Sequence, residues 1–168
     1  MKIWLKKILF VIGSIFVLGA IVLFFLARKE TPARITYGIS YNVPYVLELG
    51  LDPDVVFDAF LNDLGVRNLR MSAHWTLIEP EQNKFDFTWM DTDMKKVEKV
   101  NGHVIFGVGR RLPRWPECHV PLWAKSLTWE EQKQEVREYI TAVVNRYKES
   151  PAITYWQVEN EPYLGLFA

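Results

Sequence analysis

Two glutamates flank an asparagine near the C-terminal end of this sequence, in W-Q-V-E-N-E-P, Trp156 to Pro162. A carboxylic acid held at the end of a buried strand can give a proton to a leaving oxygen and later take one from water. An amide beside it can hold a hydroxyl. Arg70 is a second chemical group, set inside the apolar run Val66 to Ala73, where an unpaired charge is costly. His74 and Trp75 follow that run directly, and Tyr41-Asn42 and Arg110-Arg111 hold comparable places after two other runs. Cys118 is the single cysteine, so no internal disulfide is expected. Nothing completes a metal or thiol site around Cys118-His119, and neither metal nor cofactor is expected.

These groups need elements to position them. Ile35 to Tyr41 reads as a first strand, rich in β-branched and aromatic residues. Asp52-Pro53 opens a helix with Val56, Phe57, Phe60, Leu61 and Leu64 on one face and Gly65 as terminator. Val66 to Ala73 is the second strand. A helix over about Trp89 to Val100 carries Met90, Met94 and Val97 together, and Asn101-Gly102 stops it. His103 to Gly109 is the third strand. Thr128, with Glu131 three residues on, predicts a capping box that opens a helix with Val136, Ile140, Val143, Val144 and Tyr147 inward. Ile153 to Val158 is the fourth strand.

Strands separated by helices imply a parallel sheet covered by its crossovers. No glycine-rich phosphate turn follows the first strand, which removes the main support for a dinucleotide fold. Polar and aromatic groups gather instead at the C-terminal strand ends: Tyr41, Asn42, Arg70, His74, Trp75, Arg110, Asn160 and Glu161. The N-terminal ends begin with Ile35, Val66 and Val104. That asymmetry is expected of a (β/α)8 barrel, whose chemistry sits at the C-terminal face.

The first thirty residues stand apart. Lys2, Lys6 and Lys7 precede an unbroken apolar run from Ile8 to Ala27, which in helix is about 30 Å long and can cross a hydrocarbon core. An uncleaved anchor is expected rather than a signal peptide, because no small-residue cleavage site precedes Arg28. The lysine-rich flank places the N-terminus in the cytoplasm and Thr31 onward outside, so that 1–30 is stub and anchor and 31–168 the α/β domain. Beyond Glu30, fifteen Lys plus Arg face nineteen Asp plus Glu, which argues against a nucleic-acid partner.

On three stretches the sequence resembles retaining glycoside hydrolases of the cellulase superfamily (clan A). They are Gly65 to Asp91 with its E-P-x-x-x-x-F-D-F loop, the third strand running into P-R-W-P at Pro113 to Pro116, and W-Q-V-E-N-E-P. It looks most like family 5, with families 39 and 42 nearby. The resemblance implies a β-linked oligo- or polysaccharide as substrate, Glu161 as general acid/base, Asn160 on the sugar 2-hydroxyl and Arg70 supporting the nucleophile. Tyr41, Asn42, His74, Trp75 and Arg110 would line the cleft, with Trp75 as a stacking face for the sugar.

Retention needs a second carboxylate about 5–5.5 Å from the first, and the family takes it from the seventh strand. Four strands and three helices are read here, against about 250 residues for a whole barrel. The nucleophile is therefore expected to lie outside this chain. Glu159 and Glu161 would share one side if the strand stayed extended that far, but the chain is expected to turn at Asn160, and so close a pair leaves no room for a sugar. The expectation is the N-terminal half of a barrel, inactive alone, with an inactive carbohydrate-binding half-barrel or gene remnant as the alternative. Its open sheet edges would favour self-association.

Overall fold

The computed structural model describes residues 2–27, 35–114 and 118–162. Two compact units divide the chain, Met1–Ile35 and Thr36–Ala168. The first is a single helix, α1 (Lys2–Ala27). Its stretch Lys6–Ala27, 22 residues of mean hydropathy 3.0, is long and apolar enough to cross a membrane. Ile8, Phe16, Leu23 and other large apolar side chains stand exposed around it, as they do on a helix whose solvent is not water. Such a helix fits a single-pass anchor and, by the same criteria, a signal sequence. Its downstream flank, Arg28 to Glu30, lies outside the described residues, as do Trp115 and Pro116 of the P-R-W-P stretch.

The second unit is a mixed α/β fold, an incomplete (β/α) barrel. Its strands are β1 (Ile39–Ser40), β2 (Asn68–Ser72), β3 (His103–Val108) and β4 (Ile153–Val158). All pair in parallel, and their spatial order is their sequence order. Between them run α2 (Val43–Glu48), α3 (Pro53–Asp58), α4 (Trp75–Ile78), α5 (Thr88–Lys99) and α6 (Trp129–Tyr147). A π-helical turn, Ala59–Asp63, prolongs α3, and a 3-10 turn, Leu122–Ser126, precedes α6.

The local signals act as the residues dictate. Asp52 caps α3 by accepting from the amides of Asp54 and Val55, with Pro53 in the first turn. Gly65 takes the left-handed conformation (φ 63°) that ends that helix. Thr128 and Glu131 form the reciprocal capping box of α6. The first strand is shorter than its composition suggests. Only Ile39–Ser40 pairs with β2, because the Asn68 side chain takes the carbonyl of Tyr37 and Gly38 lies hard against the Asn68 backbone.

Alternation sorts the sheet into two faces. Leu69, Met71, Val104, Phe106 and Val108 point to the helices and are buried against Phe57, Leu61, Met90, Met94, Val97, Tyr139 and Val143. Each such side chain contributes about 1.5–3 kcal/mol by leaving water. On the opposite face Asn68, Arg70, Ile105 and Tyr155 line an open trough of about 400 Å³. A β-bulge between Val104 and Ile105 adjusts the β3–β4 register.

Candidate active site

The strand-end groups converge around β2, β3 and β4. Arg70, on the open face of β2, donates from Nε to Gln157 Oε1 at 2.8 Å and from Nη2 to Asn160 Oδ1 at 2.8 Å. Gln157 also donates to the carbonyl of Glu159 at 3.0 Å. A guanidinium from one strand thus holds the amides of another, and the polar partners satisfy a charge that an apolar strand alone would not tolerate.

The chain leaves β4 one residue before Asn160. Glu159 adopts φ 62° and Glu161 φ 49°, both in the left-handed region. The turn sends the three side chains different ways. Asn160 faces Arg70, while Glu159 reaches sideways to β3, where its two oxygens accept the backbone amides of Arg110 (2.8 Å) and Arg111 (2.6 Å). Glu161 is exposed at the rim. Its carbonyl accepts from Arg111 Nη1 at 3.2 Å, and the Asn160 amide donates to the Arg111 carbonyl at 2.8 Å. The extended-strand picture, with Glu159 and Glu161 on one side, gives way to this kink.

The β1 end supplies the neighbouring wall. Ser40, Tyr41, Asn42, Tyr45, Arg70 and Arg114 line a cavity of about 250 Å³. Asn42 caps α2 through its oxygen, which accepts from the Tyr45 amide. Its nitrogen donates to the Pro113 carbonyl and lies 3.0 Å from His74 Nε2. Tyr41 turns its hydroxyl away, to the Pro53 carbonyl at 2.9 Å, with its ring on Phe57 and Phe60. Burial raises its phenol pKa first, followed by the nearby charges of Asp93, Asp54 and Asp52.

Two expectations fail on geometry. Trp75 is fully buried, its indole donating to Glu79 Oε2 at 2.8 Å and its ring set between Trp123 and Tyr139. It is a core residue, with no face for a sugar, because α4 starts at Trp75 and rolls the ring inward. His74 is also fully buried, behind Asn42 and edge-on to His119 at 4.3 Å between ring centroids, so it cannot touch a ligand in the cleft. Desolvation, then the neighbouring His119, lowers its pKa to about 3, and it is neutral at ordinary pH. Arg110 does not join Arg70. Its guanidinium sits over the Trp129 ring at 5.5 Å, with Nη1 3.7 Å from Cys118 Sγ.

Sequence reasoning missed Gln157 and the part played by Glu159. Period-two alternation places Gln157 on the face of Arg70 and Tyr155, so a polar residue there was a readable sign. The reach of Glu159 depends on a left-handed turn and carried no such sign. Among the described residues, no group of three or more His, Cys, Asp or Glu side chains is arranged to hold a metal ion.

A parallel βα array with its polar groups at the C-terminal strand ends is the arrangement of a (β/α) barrel with its site at that face, and comparison with known proteins places the chain among barrel glycoside hydrolases. The profile described as "Glycosyl hydrolase family 10" matches residues 54–164, well over half of the chain. The chain belongs to glycosyl hydrolase family 10. Family 5, which the motifs suggested, is corrected accordingly: solved structures from families 5, 10 and 42 all share this fold. The β-galactosidase BbgII of Bifidobacterium bifidum is 25% identical over 158 residues, covering 79% of this chain and 22% of that protein. The structure of a glycosylated family 10 endo-β-1,4-xylanase from Gloeophyllum trabeum shares 28% identity at a TM-score of 0.55, covering 78% of this chain and 39% of the xylanase. A family 5 protein from Streptomyces cattleya has the same fold at 16% identity and a TM-score of 0.57, over 74% of this chain and 33% of that one. The chain spans between 15% and 22% of the length of the curated relatives it matches.

Proposed function

We propose that the whole protein hydrolyses β-linked oligo- or polysaccharides with retention, Glu161 being the general acid/base. The observation that carries this reading is the bond from Arg70 on β2, across β3, to Asn160 at the end of β4, with Glu161 next in the chain at the exposed rim. Glu161, exposed at the rim, protonates the glycosidic oxygen as it leaves and then activates water. Asn160, braced by Arg70, holds the sugar 2-hydroxyl. Arg70 itself touches neutral amides, and no carboxylate pairs with it among the described residues. Its charge therefore remains available to a nucleophilic carboxylate. Glu159 does not fill that role, since both its oxygens are taken by backbone amides. The same fact favours, as the second reading, a carbohydrate-binding module without turnover. Residues 8–27 anchor the protein in a bilayer with the barrel side outside; the apolar run of α1 and the lysines in its first turns support this.

The test is hydrolysis of a panel of aryl β-glycosides by the full-length protein, beside Glu161→Gln. Turnover that falls by at least about a hundredfold in the variant supports the assignment. Equal turnover in both proteins removes Glu161 from the mechanism, and sugar binding without turnover supports the module.

A further inference from the structure

We infer that Glu159 is a positioning residue: its carboxylate clamps the end of β4 to the end of β3 and so sets the turn that presents Asn160 and Glu161. The inference rests on the reading of Glu161 given above and adds a residue to it. Hydrogen bonds join the two strand ends, beginning with the Glu159 amide, which donates to the Val108 carbonyl at 2.9 Å. Glu159 Oε1 and Oε2 accept the amides of Arg110 and Arg111, the Asn160 amide donates to the Arg111 carbonyl, and Arg111 Nη1 donates to the Glu161 carbonyl. Charge-assisted bonds from successive amides to one carboxylate are short and directional. They compensate for two departures from ordinary backbone on either side of Asn160, since neither Glu159 nor Glu161 is a residue that favours positive φ.

Gly109 is the other half of the device. Its φ of 131° excludes ordinary side chains, and a Cβ there would lie 2.6 Å from the carboxyl carbon of Glu159. The missing side chain is the space the carboxylate occupies. Glycine at 109 and glutamate at 159 therefore serve one arrangement, and either can be altered to release it. Glutamine at 159 would turn an N–H donor toward an N–H donor, and aspartate is one methylene too short for both amides.

The experiment uses the full-length protein and three variants, Glu159→Gln, Glu159→Asp and Gly109→Ala. Hydrogen exchange at Arg110 and Arg111 reports the clamp directly. Exchange at both amides should accelerate at least about tenfold in all three, while amides in α6 keep their protection and show that the domain is folded. Unchanged exchange at Arg110 and Arg111 overturns the clamp. Turnover then tests the positioning. Loss of kcat/KM, which reads the glycosylation step and not the later attack of water, should be at least about tenfold larger on aryl glycosides with poor leaving groups, whose departure needs protonation, than on dinitrophenyl glycosides, whose departure does not. Equal losses on both overturn the positioning role, leaving Glu159 structural. If Glu161→Gln has no effect on turnover while exchange responds as stated, the functional reading fails and the positioning role with it, but the clamp stands.

Discussion

Replacing Asp93 with asparagine isolates what one buried carboxylate does to the stability of the domain. Asp93 lies on α5 and is 4% exposed, with Lys96, Asp54 and Asp58 around it. Burial raises its pKa from 3.8 to about 7; Lys96 opposes the shift, while Asp54 and Asp58 add to it. The proton is held more tightly in the folded state than in the unfolded chain. The stability this group contributes is therefore complete below pH 3.8 and is lost as pH rises through about 7. At about 1.4 kcal/mol per pH unit the full span is about 4 kcal/mol. Solvent reaching the carboxylate from the cleft it lines reduces that to about 2 kcal/mol.

His74 has the opposite slope. Its folded pKa of about 3 lies below the ordinary 6.5, so its contribution is complete above 6.5 and lost as pH falls toward 3. From about pH 4 to 6.5 the two effects oppose each other, and Glu79, raised mainly by burial, adds to the decline with rising pH. The Asp93→Asn variant keeps His74 and Glu79, so the difference between the two proteins reads Asp93 alone. Urea unfolding followed by tryptophan fluorescence at several pH values from 4 to 8 supplies that difference. The variant should match the parent near pH 4 and exceed it by about 2 kcal/mol at pH 7.5. A difference that stays constant across the range refutes the reasoning.

Trp75→Phe removes the indole donor from the buried Glu79 carboxylate and leaves unfilled volume beside Tyr139. Thermal unfolding should show a loss of about 2–3 kcal/mol, and no loss would mean that the ring is not a core element. Thr128→Ala breaks the capping box of α6 and should cost about 1 kcal/mol, read as a lower urea midpoint with an unchanged slope. Arg70→Met frees Gln157 and Asn160. Turnover should drop by about a hundredfold or more, a far larger effect than any change in the unfolding midpoint; a parallel fall in both would reduce Arg70 to a structural role.

Signals that depend on neighbouring residues could be read ahead of the structure. β4 begins and ends where its apolar run does, and Thr128 and Glu131 cap α6 as their spacing demands. Met90, Met94 and Val97 share a buried face because a twelve-residue helix shows its period. The shorter elements, α2 and α4, span too little chain for periodicity to appear, and α4 is what turns Trp75 inward. At the site, the strands that carry Arg70 and lead to Asn160 were legible from their apolar runs. The direct contact of Arg70 with Asn160 was not, since it joins residues ninety positions apart. Nor was the diversion of Glu159, which a single positive φ decides.

Because, among the described residues, β1 to β4 pair with their sequence neighbours, β2, β3 and β4 each meet a template that has already been synthesised. Docking each of these βα units closes a loop of limited length. Such an order suits folding during synthesis from the N-terminus. The polar cluster at the strand ends follows a different schedule. Arg70 leaves the ribosome long before Gln157 and Asn160, so until β4 is added its guanidinium must remain hydrated on the open face of the sheet.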